Sequence, residues 1–187
     1  MRADEWIDRW AMTSVGAAVA EGKLIRFPEQ MLETVELRGR DRSLLTQAGL
    51  PDRAAPWLSF GPQPGLLGAL RDSGEAPPGT DAYVEIGFNG SGDPICLEAS
   101  TGAVWYLNHD DGFRAVFVNS SVGQLTEFLL LFRVLVETAT SERGQDAYLD
   151  GDIPAVALDQ AATMMRAADP TALQPDTMWS DELGPID

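Results

Sequence analysis

The clearest pattern along the chain runs over residues 83–137, where short alternating segments give way to a long helical period. Segments 83–88, 94–98, 103–107 and 113–118 are separated by turn clusters: Asn89-Gly90-Ser91-Gly92-Asp93, then Ser100-Thr101-Gly102, then Asn108 to Gly112. Asn-Gly and Asp-Gly pairs reach positive φ at little cost, so strands this short pair as antiparallel hairpins, forming a meander. Val84, Ile86 and Phe88 alternate with Tyr83, Glu85 and Gly87, which predicts one apolar and one mixed sheet face. Beyond Ser121 the period lengthens, and Val122, Leu125, Phe128, Leu129, Phe132, Leu135 and Val136 fall on one helical stripe ending near Thr140. Ser121 with Gln124 three residues on reads as a capping box, the glutamine side chain reaching back to the cap. The stripe and the apolar sheet face need each other. Each large side chain fully buried contributes roughly 1.5–3 kcal/mol, so this contact is the expected core.

The remaining patterns are shorter. Residues 3–12 predict a helix with Trp6, Ile7 and Trp10 on one side and Asp4, Glu5, Asp8 and Arg9 on the other, docked at the edge of the core. Small residues over 13–22 suit a helix continuation or a loop equally. Residues 23–27 form a short extended segment stopped by Pro28, and 34–37 are either extended or a helical turn. Asp41 reads as the N-cap of a helix over 41–48, with Leu44 and Leu45 inward and Gly49 and Pro51 as the stop. Trp57-Leu58-Ser59-Phe60 reads as a short strand, 65–70 as a helical turn or irregular piece, and 71–80 as a surface loop. Polar residues 141–152 are a place for another short helix to begin. Ala- and Met-rich 155–168 form a helix that Asp169-Pro170 ends, and Trp179 in a polar tail implies docking on the body. The expected architecture is α+β: a central, mainly antiparallel sheet of about four to six strands with flanking helices. A single domain over 1–187 is expected, with its core at about 41–179 and the 3–12 helix docked on it.

Charge narrows the partners. The 29 Asp and Glu against 13 Lys and Arg give a formal net charge of -16. The excess is uneven: net -3 over residues 1–82, -5 over 83–141 and -8 over 142–187. Such a field repels phosphates and anionic membranes and draws basic partners over a Debye length of about 8–10 Å. Direct nucleic-acid and membrane binding are therefore not expected, and a basic protein partner is. The alternative is a solvated surface with no binding role. One cysteine, Cys96, leaves no internal disulfide and no Cys-rich metal site. The N-terminus lacks a signal-peptide layout and no apolar run approaches the ~20 residues of a membrane helix, so a cytoplasmic protein is expected.

Candidate chemistry is sparse. Cys96 and the sole histidine, His109, would stand on adjacent hairpins as a thiol and base, but no orienting or oxyanion group accompanies them. A buried thiol and a turn histidine are the simpler reading. Glu85, Glu98, Asp110 and Asp111 form a carboxylate set without the spacing of a metal loop or a hydrolase. The 89–92 stretch is Gly-rich but opens no helix and makes no phosphate cradle. Arg38, Arg40 and Arg42 alternate and balance charge. No catalytic residue, cofactor or metal is expected.

Taken in order, Leu44-Leu45-Thr46-Gln47-Ala48-Gly49-Leu50-Pro51, Leu58-Ser59-Phe60, Tyr83-Val84-Glu85-Ile86-Gly87, Pro94-Ile95-Cys96-Leu97, Thr101-Gly102-Ala103-Val104-Trp105 and Val118-Asn119-Ser120-Ser121 resemble the SUKH superfamily of bacterial immunity proteins, most closely its fourth immunity subfamily. The resemblance continues through Leu125 to Phe132, Asp169-Pro170-Thr171-Ala172-Leu173 and Trp179, and its motifs are structural punctuation rather than catalytic signatures. Membership implies a SUKH-like α+β fold and a non-enzymatic role: binding and blocking a cognate polymorphic toxin, often a nuclease or deaminase. It transfers no contact residue. From charge, the expected toxin-binding positions are a rim of Glu85, Glu98, Asp110 and Asp111, and a second patch of Asp150, Asp152, Asp181 and Glu182. A regulatory or scaffold module of the same fold is the alternative, with a Cys-His hydrolase behind it.

Overall fold

Turn chemistry sets the sheet. In a computed structural model, which describes residues 1–12 and 22–184, β4 (Tyr83–Phe88), β5 (Pro94–Glu98), β6 (Val104–Asn108) and β7 (Arg114–Asn119) follow one another as antiparallel neighbours. β3 (Ser59–Phe60) pairs antiparallel with β4, giving a five-stranded order β3-β4-β5-β6-β7. β4 and β5 occupy the expected residues, and β6 and β7 begin one residue late. The expectation for residues 13–22 lies, over 13–21, outside the described residues. The fold is the α+β arrangement expected, with β1 (Leu24–Ile25) and β2 (Leu50–Pro51) forming a separate antiparallel pair. The 34–37 stretch is irregular, held where the Glu36 N–H donates to the Ala99 carbonyl at 2.7 Å.

Strict alternation fails in β4. A register shift between Glu85 and Gly87 makes Ile86 the extra residue of a bulge, and a bulge re-aims the side chains that follow it. Ile86 is fully buried, whereas Phe88, expected on the same apolar face, is 51% exposed.

α4 (Val122–Arg143) lies against the sheet: Leu125, Phe128, Leu129 and Phe132 share one core cluster with Ile86, Ile95, Leu97, Val104 and Val118. It is more than a single stripe. Leu130, Leu131 and Arg133 are buried as well, because α1 (Ala3–Met12) and α5 (Ala155–Ala168) pack on its other sides. Buried Arg133 donates from Nη1 to the Trp10 carbonyl at 2.9 Å and lies 4.3 Å from the Trp10 ring centroid, contacts that offset the cost of burying it. α1 docks through Trp6 and Trp10; Ile7, expected beside them, points outward. Arg9 fastens it with a two-pronged pair to Glu127 at 2.8 and 2.9 Å.

The capping expectations change in detail. Ser121 does accept from the Gln124 N–H at 3.2 Å, yet the Gln124 side chain does not reach the cap backbone. It accepts from Ser121 Oγ at 2.7 Å and donates to the Ala168 carbonyl at 3.1 Å, so it joins the α4 start to the α5 end. Asp41 caps α4 rather than its own helix, accepting from the Gly123 N–H at 2.8 Å. Its own helix starts earlier, as α2 (Gly39–Ser43), and runs through a π-helical turn (Leu44–Ala48) to Gly49 at φ 90°.

α3 (Leu66–Ser73) is longer than expected and covers the opposite sheet face, where Leu67 meets Cys96 and Leu107. Arg71, expected in a surface loop, is half-buried and donates to the Thr80 and Tyr83 carbonyls at 2.7 and 2.8 Å. α4 runs on to Arg143, and turns rather than a helix follow it to Gly151. The tail is tied down by one polar knot. Asp169 accepts from the Ser120 N–H at 2.8 Å, Ser120 Oγ at 2.9 Å and Asn119 Nδ2 at 3.2 Å. Trp179, in α6 (Met178–Leu183), donates from Nε1 to Asn119 Oδ1 at 3.0 Å and packs on Phe128 and Phe132.

Candidate functional site

A meander has two ends, and here they differ. At one end lie the β5–β6 turn and Glu98, whose carboxylate accepts from Thr101 Oγ1. At the other lie the 89–93 turn, the short helical turn His109–Asp111 and the chain that enters β3. Asp93 welds this second end together. Its buried carboxylate accepts from Asn89 Nδ2 and from the His109 N–H, both at 2.9 Å, and lies 2.7 Å from His109 Nδ1.

Trp57 stands at that end. Ala54 and Leu58 exchange two backbone hydrogen bonds of 2.8 Å, closing a tight turn with Trp57 at φ 58° and 65% exposed. A bulky residue in the left-handed region is unusual and carries backbone strain. This is a correction to the expected strand over 57–60, of which only Ser59 and Phe60 are strand. Gly90 makes room for the indole: a Cβ there would sit 2.8 Å from Trp57 Cβ.

A cleft flanks Trp57 on each side. One, of about 630 Å³, is walled by Phe88, by Val136 and Thr140 of α4, and by Asp146, Tyr148 and Leu149. The other, of about 500 Å³, is bordered by Tyr106, Met178, Asp181 and Glu182. Trp57, Leu58, Asn89 and Gly90 line both. Phe88 at 51% and Leu149 at 62% exposure extend the apolar surface. Tyr148 joins the two rims, donating from its hydroxyl to Glu182 Oε1 at 2.6 Å with its ring edge-on to Phe132. Burial, then the Glu182 carboxylate, pushes the Tyr148 hydroxyl pKa up, so the bond keeps its proton.

The expected acidic positions divide along this axis. Asp110 and Asp111 are exposed at the Trp57 end, Asp111 paired with Arg114 at 2.6 Å. Asp181 and Glu182 border the second cleft, while Asp150 and Asp152 are exposed on the loop that carries Leu149. Glu98 lies at the far end of β6. Glu85 belongs to neither end: it is buried under the start of α3 and accepts from the Gly68 N–H at 3.3 Å. Burial raises its pKa, opposed by hydrogen bonds from the first amides of α3. The four-residue rim is thus not one surface. Sequence reasoning missed Trp57, Phe88, Asp146 and Leu149. Trp57 follows a proline and Phe88 precedes Asn-Gly, so both stand where a strand meets a turn and an apolar side chain is free to face out; Asp146 and Leu149 carry no such signal.

Cys96 is fully buried, and burial together with the Glu85 charge pushes its thiol pKa up, the direction opposite to a nucleophile's need. Among the described residues no group of three or more His, Cys, Asp or Glu is placed to hold a metal ion, and no helix is long and apolar enough to cross a membrane.

No curated protein and no solved structure matches this chain. The tail knot joins three of the stretches that carry the resemblance, Val118 to Ser121, Asp169 to Leu173 and Trp179, so the punctuation read from sequence is one physical device. A family model described as SUKH-4 immunity protein matches residues 12–184, and the chain belongs to that family.

Proposed function

We propose that this protein carries out its family's role in toxin immunity by binding and blocking a cognate polymorphic toxin, a basic nuclease or deaminase domain, in the cytoplasm and without catalysis of its own. One observation carries the finer reading: a net charge of -16 whose exposed acids include Asp110, Asp111, Asp146, Asp181 and Glu182 around one end of the sheet. A nuclease must hold phosphates in a basic groove, and carboxylates in that groove compete with substrate while steering association. The full burial of Cys96, which pushes its thiol pKa up, favours the same reading over the Cys-His alternative.

The test uses the toxin domain encoded beside this protein. A 1:1 complex that abolishes toxin activity and weakens steeply as salt rises is the expected result. Absence of binding and of inhibition would sink the proposal, and salt-independent binding would remove the acidic surface from it.

A further inference from the structure

We infer that the Trp57 cleft is the anchoring site for the partner, and that its occupant is a basic segment bearing an apolar or guanidinium side chain that inserts beside the indole. The inference rests on the immunity reading and adds where, and with what chemistry, the partner is gripped.

The shape and the charge point the same way. A cleft of about 630 Å³ lies within the range that buries a compact side-chain cluster. Its walls are apolar where Phe88, Leu149 and Val136 stand, and acidic at the lip, where Asp146 on one side and Asp181 and Glu182 on the other face a partner from both clefts. Among the described residues that line the two, Arg53 is the one basic side chain. An exposed apolar patch ringed by carboxylates excludes an acidic occupant and leaves a basic one.

The tryptophan is also presented outward. A left-handed backbone at Trp57 sets the direction in which its side chain leaves the turn, and Gly90, with no Cβ, lets the start of that side chain lie close against the 89–93 turn. Tryptophans presented this way, central and apolar within a polar ring, are the residues that dominate interface energetics, and an indole face also attracts guanidinium. The left-handed residue belongs to the Ala54–Leu58 turn, and that turn leaves the Trp57 side chain 65% exposed.

The experiment measures affinity and on-rate against the toxin domain encoded beside this protein for four forms of the full chain: wild type, Trp57→Gly, Asp146→Lys with Asp181→Lys, and Glu98→Lys. Glycine suits the φ of Trp57, so that variant keeps its fold, which a thermal melt checks. Expected results are a loss of at least about 30-fold in affinity for Trp57→Gly with its salt dependence intact. The double lysine variant slows association and flattens the salt dependence, and Glu98→Lys, half that change of charge at the far end, binds as wild type does. Wild-type binding that Trp57→Gly leaves unchanged overturns the cleft assignment while the immunity reading stands. Loss from Glu98→Lys equal to that from the double variant overturns the charge argument. No wild-type binding at all defeats the immunity reading, and this inference with it.

Discussion

Trp179 and Trp57 are the same side chain put to opposite uses. Trp179 is fully buried, hydrogen-bonded to Asn119 and packed on Phe128 and Phe132; Trp57 is 65% exposed, in a strained turn, and held over a glycine. Around Trp179 each polar atom of Asn119, Ser120 and Asp169 that enters the core is paired inside the fold. Around Trp57 the acids Asp146 and Asp181 line clefts that open to solvent. One region spends its chemistry on stability, while the other leaves it available to a partner.

The contrast is broken most directly at Trp179. Trp179→Ala removes a buried indole and strands Asn119 Oδ1, and urea unfolding should show a loss of about 3–5 kcal/mol. A value near zero would mean that the tail is not part of the cooperative core. Asp169→Ala comes next: it leaves the Ser120 N–H and the Asn119 amide without an acceptor, at an expected cost of about 2–4 kcal/mol in the same measurement.

Glu85 sharpens the comparison through pH. Its folded pKa is raised above the ordinary 4.5, so the native state holds this proton more tightly than the unfolded chain does. Its contribution to stability therefore falls as pH rises from 4.5 through its folded value. Glu85→Gln, which still offers an acceptor to α3, should remove that part of the slope in denaturation midpoints collected upward from pH 4.5; an unchanged slope would mean that Glu85 is solvated. The buried thiol gives a fourth check. Cys96 should react with a thiol reagent only after denaturant unfolds the chain, and rapid labelling of the native protein would revive the nucleophile reading.

Trp57 should show the smallest effect on stability. Trp57→Gly relieves a left-handed backbone and removes little packing, so its stability should equal wild type or exceed it by up to about 1 kcal/mol. A large loss would place Trp57 among the structural tryptophans.

Much of the fold was legible because it is local. Asn89-Gly90 and the other turns fix hairpins between neighbours, and Ser121 opens a helix whose leucines seek the nearest apolar face. The bulge in β4 was not legible: one extra residue turns Phe88 outward, and nothing in the alternation of 83–88 announces it. Asp41 misled for a related reason. An aspartate three residues into a helix looks like a cap from its neighbours alone, yet its partner, the Gly123 N–H, lies 82 positions further on.

Sequence by itself determined the meander of β4 to β7, the central helix and the negative charge, since each follows from residues within a few positions of one another or from composition. Only tertiary structure decided which acids share a surface. It buried Glu85 under α3, sent Glu98 to one end of β6 and Asp110 to the other, and brought Asp146 to one and Asp181 to the other of the two clefts that flank Trp57. The physical reason is that a side chain's neighbours across a fold are set by strand register and helix docking, which a linear pattern of charges does not encode.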